Sequence, residues 1–261
     1  MGIPHRPALT RGAPLKADPS HQLQLLEVQR LDSTLDQLHH QIETLPESQR
    51  LVELRRERAG LDGTQRDAAI RVDDLTGEQK KADADVEQVR RRRQRDQDRM
   101  DQGLVSNPKD LERMQDELVS LQRRISDLED VELDVMERLE TAQSELGELS
   151  ARTTQLDTDI AQLSDVRADK AGALERQVAE VEQERKVAAA ELPEDLATLY
   201  ARLRAQKGGV GAAELRARRC SGCSLELTAA DLGAIGKAAP DEVLRCEECN
   251  RILVRTPESG L

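Results

Sequence analysis

Phenylalanine and tryptophan are missing from this sequence, and tyrosine occurs once, at Tyr200. Aromatic side chains supply much of the buried area of a large core, so their scarcity excludes one big globule for a chain of 261 residues. Long apolar runs are missing too. None approaches the roughly 18 residues that mark a membrane helix. The opening stretch MGIPHRPALTRGAPLKADPS lacks the apolar centre of a secretory signal. A Met-Gly start does not make a myristoylation signal when Arg6 stands where that signal takes Ser or Thr. Cytoplasmic residence without membrane contact is the expectation. There is no Gly-rich phosphate loop and no serine-nucleophile motif, and the many acidic residues fall on solvated helix faces. The chain therefore reads as a non-enzyme without a small-molecule substrate.

What is present is charge and helical periodicity. Charged residues make up 34% of the chain, with a net charge of −12. Apolar residues recur at alternating steps of three and four from Val28 through Leu31, Leu35, Leu38, Ile42 and Leu45, the spacing of a coiled-coil seam. Pro46 predicts a kink. A weaker stripe continues from Leu54 to Val89, and a second long one runs from Leu111 to Leu163 and on to Val181, with Glu132 and Thr153 intruding. Between them lies GLVSNPKDLE, in which Gly103 can end a helix, Asn107-Pro108 makes a turn and Asp110 favours a new helix start. A chain folded back near residue 106 places position i opposite about 212 − i, and the two arms match in length. The tip, Ser106-Asn107-Pro108-Lys109, lacks the carboxylates that would hold a metal at its extreme end.

The expected fold is mainly α: a long antiparallel coiled-coil hairpin with a small C-terminal β zinc ribbon. The domain plan is a disordered tail over 1–19, the hairpin over 20–192 with its tip near 103–109 and a kink near 46, a short helix and linker over 193–209, a four-cysteine zinc ribbon over 210–256, and a disordered tail over 257–261.

The ribbon rests on the only four cysteines, Cys220, Cys223, Cys246 and Cys249. Two Cys-x-x-Cys pairs separated by about 22 residues match the spacing of a zinc site. Each pair forms a turn that aims two thiolates at one ion, and the two turns complete a tetrahedron. Gly222 offers a positive φ for the first turn, and Asn250 tolerates the left-handed region after the second. A redox reading needs a βαβ domain that is not here, and a disulfide reading needs an oxidising compartment. Four thiolate ligands leave no open position for water, so the single zinc ion would be structural. The expected strands are ELRARR, LEL, EVLR and RILVR, antiparallel around the two turns, with a helical turn at Thr228 to Leu232 between them.

Arginines supply the remaining candidates. Arg216, Arg218 and Arg219 beside Arg245, Arg251 and Arg255 put several guanidiniums on the ribbon, with Arg216 and Arg218 on one strand face by alternation. Arg90, Arg91, Arg92 and Arg93, with Arg123 and Arg124 alongside in the hairpin register, make a basic cluster on the helices. Guanidiniums suit bidentate contact with carboxylate or phosphate, so a protein partner is expected and RNA or DNA is the alternative. Against nucleic acid stand the negative net charge and the scarcity of aromatic stacking platforms. Tyr200 is the sole candidate platform, and packing of the short helix onto the ribbon is its other role.

Together, the hairpin, the short helix in LPEDLATLYARLRAQKGG and the knuckle LRCEECNRILVR resemble the bacterial C4-type zinc-ribbon coiled-coil proteins, with Asn250 where those usually carry glycine. The tip SNPKDLERMQDELVSLQRR resembles actinobacterial members. The resemblance spans about residues 20–255 and implies structural zinc on the four cysteines and an adaptor-like role. Some members of that group serve as chaperones or regulators for flagellar and type III secretion systems, and RNA or sigma-factor contact has been proposed for the flagellar type.

Overall fold

The structure, a computed structural model, describes residues 15–261. Helix α1 (Pro19–Glu43) begins where the sequence can cap it. The Asp18 carboxylate accepts the Ser20 N–H at 2.8 Å, and Pro19 occupies the first turn, where its missing N–H breaks no helical bond. The helix ends as Thr44 turns its N–H and hydroxyl back to the His40 carbonyl. Only Leu45 then intervenes before α2 (Pro46–Asp101), so the expected kink is a break between two helices. Gly103, at φ 67°, follows α2, and the Asn107 side chain caps α3 (Pro108–Ala190) by accepting the Lys109 N–H at 3.1 Å.

The chain divides into two compact units, one of residues 46–166 and one of residues 1–45 with 167–261. In the first, α2 and the N-terminal two thirds of α3 run antiparallel. Leu75 packs with Leu139 and Ala142, and Val72 lies against them. Ion pairs mark the register on either side: Arg58 with Asp157 at 3.0 Å, Arg138 with Glu78 at 3.4 Å and Arg92 with Glu117 at 2.7 Å. These pairs follow the predicted fold-back to within two helical turns. They are exposed and each contributes at most about 1 kcal/mol, so the seam residues carry the pairing. Thr153, an expected intruder, is buried and donates to Gln65 at 3.4 Å, while Gln65 donates to Ser150 at 3.2 Å. A small polar layer thus replaces an apolar one there.

The second unit gathers α1, the end of α3, the short helix α4 (Glu194–Gln206) and the ribbon. Leu25, Val28 and Leu31 of α1 share one core with Leu196, Tyr200 and Leu203 of α4 and with Ala212, Ile252 and Val254 of the sheet. Tyr200 therefore packs α4 against both α1 and the ribbon.

The sheet contains β1 (Ala212–Arg216), β2 (Arg219–Cys220), β3 (Leu244–Arg245) and β4 (Ile252–Arg255) in the order β2-β1-β4-β3. Its central pair, β1 with β4, is parallel, with Ala212 opposite Ile252 and Leu215 opposite Arg255; only the outer pairs are antiparallel. This corrects the expectation of antiparallel strands throughout. A tight turn at 217–218 joins β1 to β2 and the second Cys-x-x-Cys turn joins β3 to β4, which leaves the two inner strands side by side in the same direction. ELRARR is also not one strand. Ala217 and Arg218, at φ 46° and 66°, form a two-residue hairpin turn, so Arg216 and Arg218 do not share a strand face. Of LEL only Glu226 pairs, as an isolated bridge to Arg219. Helix α5 (Ala229–Lys237) is longer than the single turn expected, because Thr228 and Asp231 form a reciprocal capping box.

Both expected tails are corrected where they are described. Of the N-terminal tail, 1–14 lie outside the described residues. The next few residues lie along the ribbon: Ala17 donates to the Asp241 carbonyl at 2.8 Å, and Val243 donates to that of Leu15 at 2.9 Å. At the other end, residues 257–259 form a 3-10 turn. The Glu258 and Ser259 carbonyls accept the N–H groups of Ala217 and Arg218, and buried Ser259 donates to the Leu215 carbonyl at 3.0 Å. The hairpin turn exposes two N–H groups that the last residues satisfy, and that ordering replaces the expected disorder.

Candidate metal centre and the arginines around it

The four cysteine Sγ atoms lie within 4.8 Å of one another, and none is in a disulfide. Cys220 to Cys249 and Cys223 to Cys246 are both 3.9 Å. A tetrahedron of sulfurs with Zn–S bonds of about 2.3 Å has edges of roughly 3.8 Å, so this donor set fits one zinc ion. Cys220 and Cys246 are buried, while Cys223 and Cys249 are half-buried.

The two turns are built alike. Cys220 N–H donates to the Leu225 carbonyl at 3.1 Å, and Cys246 N–H to that of Arg251 at 3.0 Å. Backbone N–H groups point at the sulfurs, those of Gly222 and Cys223 at Cys220 and those of Glu248 and Cys249 at Cys246. Without metal, burial pushes the Cys220 thiol up to about 12 despite these bonds, and burial raises Cys246 also. At Cys249 burial also pushes upward, but hydrogen bonds from the Arg251 backbone and side chain and from the neighbouring cysteines bring the thiol down to about 7. The left-handed residue of the first turn is Ser224, not Gly222. Gly222 is required for space: a Cβ there would meet Arg251 Cδ at 2.8 Å and Ala213 Cβ at 3.0 Å.

The structure separates the candidate arginines by what they hold. Arg255 donates to four carbonyls, those of Ile235, Ala238, Ala239 and Pro240, and so closes the C-terminal end of α5. Arg245 donates twice to the Asn250 carbonyl, and Arg251 reaches the carbonyls of Val210 and Lys207. Arg218 donates to the Gly260 carbonyl at 3.2 Å. Arg216 and Arg219 are exposed at the two ends of the hairpin turn. On the helices, Arg90 pairs with Glu87 and Glu129, Arg91 with Glu87, and Arg92 with Glu117 and Asp96. Arg93 is half-buried, and Arg123 and Arg124 are exposed.

One polar cluster escaped sequence reasoning. Asp32 of α1, buried in the second unit, accepts from Tyr200 at 2.6 Å and from Arg185 at 2.7 Å, with Arg204 at 3.5 Å. The sequence holds one signal for it: a carboxylate directly after seam residue Leu31, on the flank that faces the partner helix. Gln29 is similar. Its buried amide accepts from the Gly211 N–H at 2.7 Å and donates to the Gly209 carbonyl at 3.0 Å, which ties the linker to α1.

An antiparallel helical hairpin followed by a four-thiolate ribbon defines the class as coiled-coil proteins carrying a structural zinc ribbon. The chain belongs to the family of the CT398-like coiled coil hairpin domain, whose pattern matches residues 28–208, and a C4-type zinc ribbon domain matches residues 219–253. An uncharacterized protein of Mycobacterium tuberculosis is 34% identical over 251 residues, covering 92% of this chain and 98% of its own. A solved structure from Mycobacterium smegmatis is 32% identical with a TM-score of 0.78, covering 92% of this chain and all of that one. The structure of CT398 from Chlamydia trachomatis, at 18% identity and TM-score 0.50 over 91% of this chain and 98% of that one, shares the fold. Among the described residues no helix is long and apolar enough to cross a membrane.

Proposed function

We propose that this protein is a non-enzymatic adaptor of the cytoplasm, in which Cys220, Cys223, Cys246 and Cys249 hold one structural zinc ion, the ribbon docks a protein partner and the hairpin presents or spaces another. The zinc contributes folding free energy to the ribbon by holding its two cysteine turns together. With all four positions taken by thiolates, it has no site for substrate or water.

The observation that carries the choice of partner is the commitment of the arginines. Arg245, Arg251 and Arg255 spend their donors on backbone carbonyls, and Arg90 and Arg92 are matched by glutamates. A phosphate backbone would have to compete with those contacts on a chain of net charge −12. The second reading, a nucleic-acid-binding regulator, keeps exposed Arg216, Arg219, Arg123 and Arg124 as its candidates.

Co-purification of tagged protein from its host cells, with and without nuclease, tests the choice. A protein partner that survives nuclease supports the adaptor. Recovery that collapses on RNase or DNase treatment, with steep salt dependence, replaces it with the regulator.

A further inference from the structure

Arg251 reaches from the second cysteine turn to the junction between α4 and β1. It lies two residues after Cys249 and directly before β4. Its Nε donates to the Val210 carbonyl at 2.8 Å and its Nη2 to the Lys207 carbonyl at 2.9 Å, so the guanidinium fork spans the junction between α4 and β1. Lys207 is the C-cap of α4, and Gly208 and Gly209 follow at φ 66° and 89°. On its way there the side chain crosses the first cysteine turn at Gly222, where even a methyl group would collide with it. Its backbone and side chain both donate to Cys249. One side chain therefore contacts one thiol, the opposite cysteine turn and the end of a helix.

Other contacts reach the junction too: the Gly209 N–H donates to the Arg204 carbonyl at 3.0 Å. Gln29 holds Gly209 and Gly211, and the Ile252 N–H donates to the Gly211 carbonyl at 2.9 Å. Ile252 is the residue after Arg251, so this bond also depends on where the second turn places the start of β4.

We propose that Arg251 is a positioning residue that couples metal occupancy of the four-cysteine centre to the conformation of the α4–β1 junction. Metal holds the two turns together and thereby fixes the path of the Arg251 side chain between Gly222 and Cys249. The fork then holds the Lys207 and Val210 carbonyls. Loss of metal lets the turns separate, withdraws the fork and loosens the end of α4. The proposal rests on the reading of the four cysteines as the metal site.

The test uses the full chain, zinc-loaded and zinc-stripped, with zinc content determined first. Two readouts follow: zinc transfer to a chromophoric chelator, and amide exchange over residues 207–213. In the unaltered protein, stripping zinc is expected to raise junction exchange at least about tenfold. Arg251→Met is expected to show raised junction exchange while still loaded, and to release zinc about tenfold faster, as loss of an outer-shell partner does. Arg251→Lys keeps the charge without the fork, so zinc release stays near normal while the junction still loosens. Loaded Arg251→Lys and Arg251→Met junctions as protected as the unaltered one overturn the coupling and leave the metal site standing, as does stripping that leaves the junction unchanged. A chain that binds no zinc overturns both. An Arg251→Met chain that fails to fold leaves Arg251→Lys to decide.

Discussion

Ser224 and Asn250 are structural equivalents: each donates its N–H at 2.8 Å to the carbonyl of the first cysteine of its turn, Cys220 or Cys246, and they adopt φ of 62° and 63°. Both sit in the left-handed region, which costs serine more than asparagine. Ser224→Gly is therefore expected to stabilise the zinc-loaded ribbon by about 1 kcal/mol, and Asn250→Gly by less. Resistance to zinc stripping by graded chelator reads this directly. Equal gains at both positions would contradict the ranking.

Zinc affinity is expected to fall steeply in acid. Burial keeps Cys220, at about 12, and Cys246 protonated in the metal-free fold, whereas zinc binds thiolates. Binding must displace those protons, and each displaced proton weakens apparent affinity about tenfold per pH unit as pH falls. The protons of these two thiols alone predict a loss of at least roughly a hundredfold per unit below pH 8, steepening below about 7 where Cys249 also takes up a proton. Competition with a chelator of known pH response at pH 8 and pH 6 measures the slope, and a flat profile contradicts it.

Two glycines predict opposite responses to the same substitution. A Cβ on Gly211 would lie 2.8 Å from the Tyr200 carbonyl and 2.9 Å from the Arg204 backbone nitrogen, where no flexible side-chain end can yield. Gly211→Ala is expected to destabilise by about 3 kcal/mol. Gly147, inside α3, has open space around it, so Gly147→Ala replaces a poor helix former with the best and gains about 1 kcal/mol. Urea melts followed by circular dichroism distinguish the signs.

The helical hairpin was legible because its signals are local and periodic: Pro46, Gly103 and Asn107-Pro108 each interrupt a seam where a helix ends or begins. The four thiols were legible because Cys-x-x-Cys spacing reports the ligand turn itself. Sheet direction was not, since the parallel pairing of β1 with β4 depends on how two distant turns meet across the cysteines. Alternation failed at Arg218 because Ala217, which disfavours positive φ, is held in the hairpin turn by residues from the far end of the chain. Asp32 stayed hidden for a related reason. A charge beside a heptad seam looks solvated until α4 folds back and brings Tyr200 over it.

That contact carries a pH signature. Burial, and then the Asp32 carboxylate that accepts its hydroxyl, raise Tyr200 well above the ordinary 10.0. The folded chain thus holds this proton more tightly than the unfolded chain does. The stabilisation is complete below pH 10 and is lost as pH rises beyond it, because the unfolded state then gains by ionising while the folded state cannot. Arg185, whose hydrogen bond to Asp32 raises its pKa further, stays charged throughout that range and keeps Asp32 paired. Tyr200→Phe removes one hydrogen bond to a buried carboxylate and is expected to cost about 2 kcal/mol at pH 7. Above pH 10 its deficit should shrink, since phenylalanine has no proton to lose. Denaturant midpoints for both proteins at pH 7 and at pH 11 check this, with convergence expected. A deficit that stays constant across that range would mean that the tyrosine hydroxyl is not held against Asp32 in the folded protein.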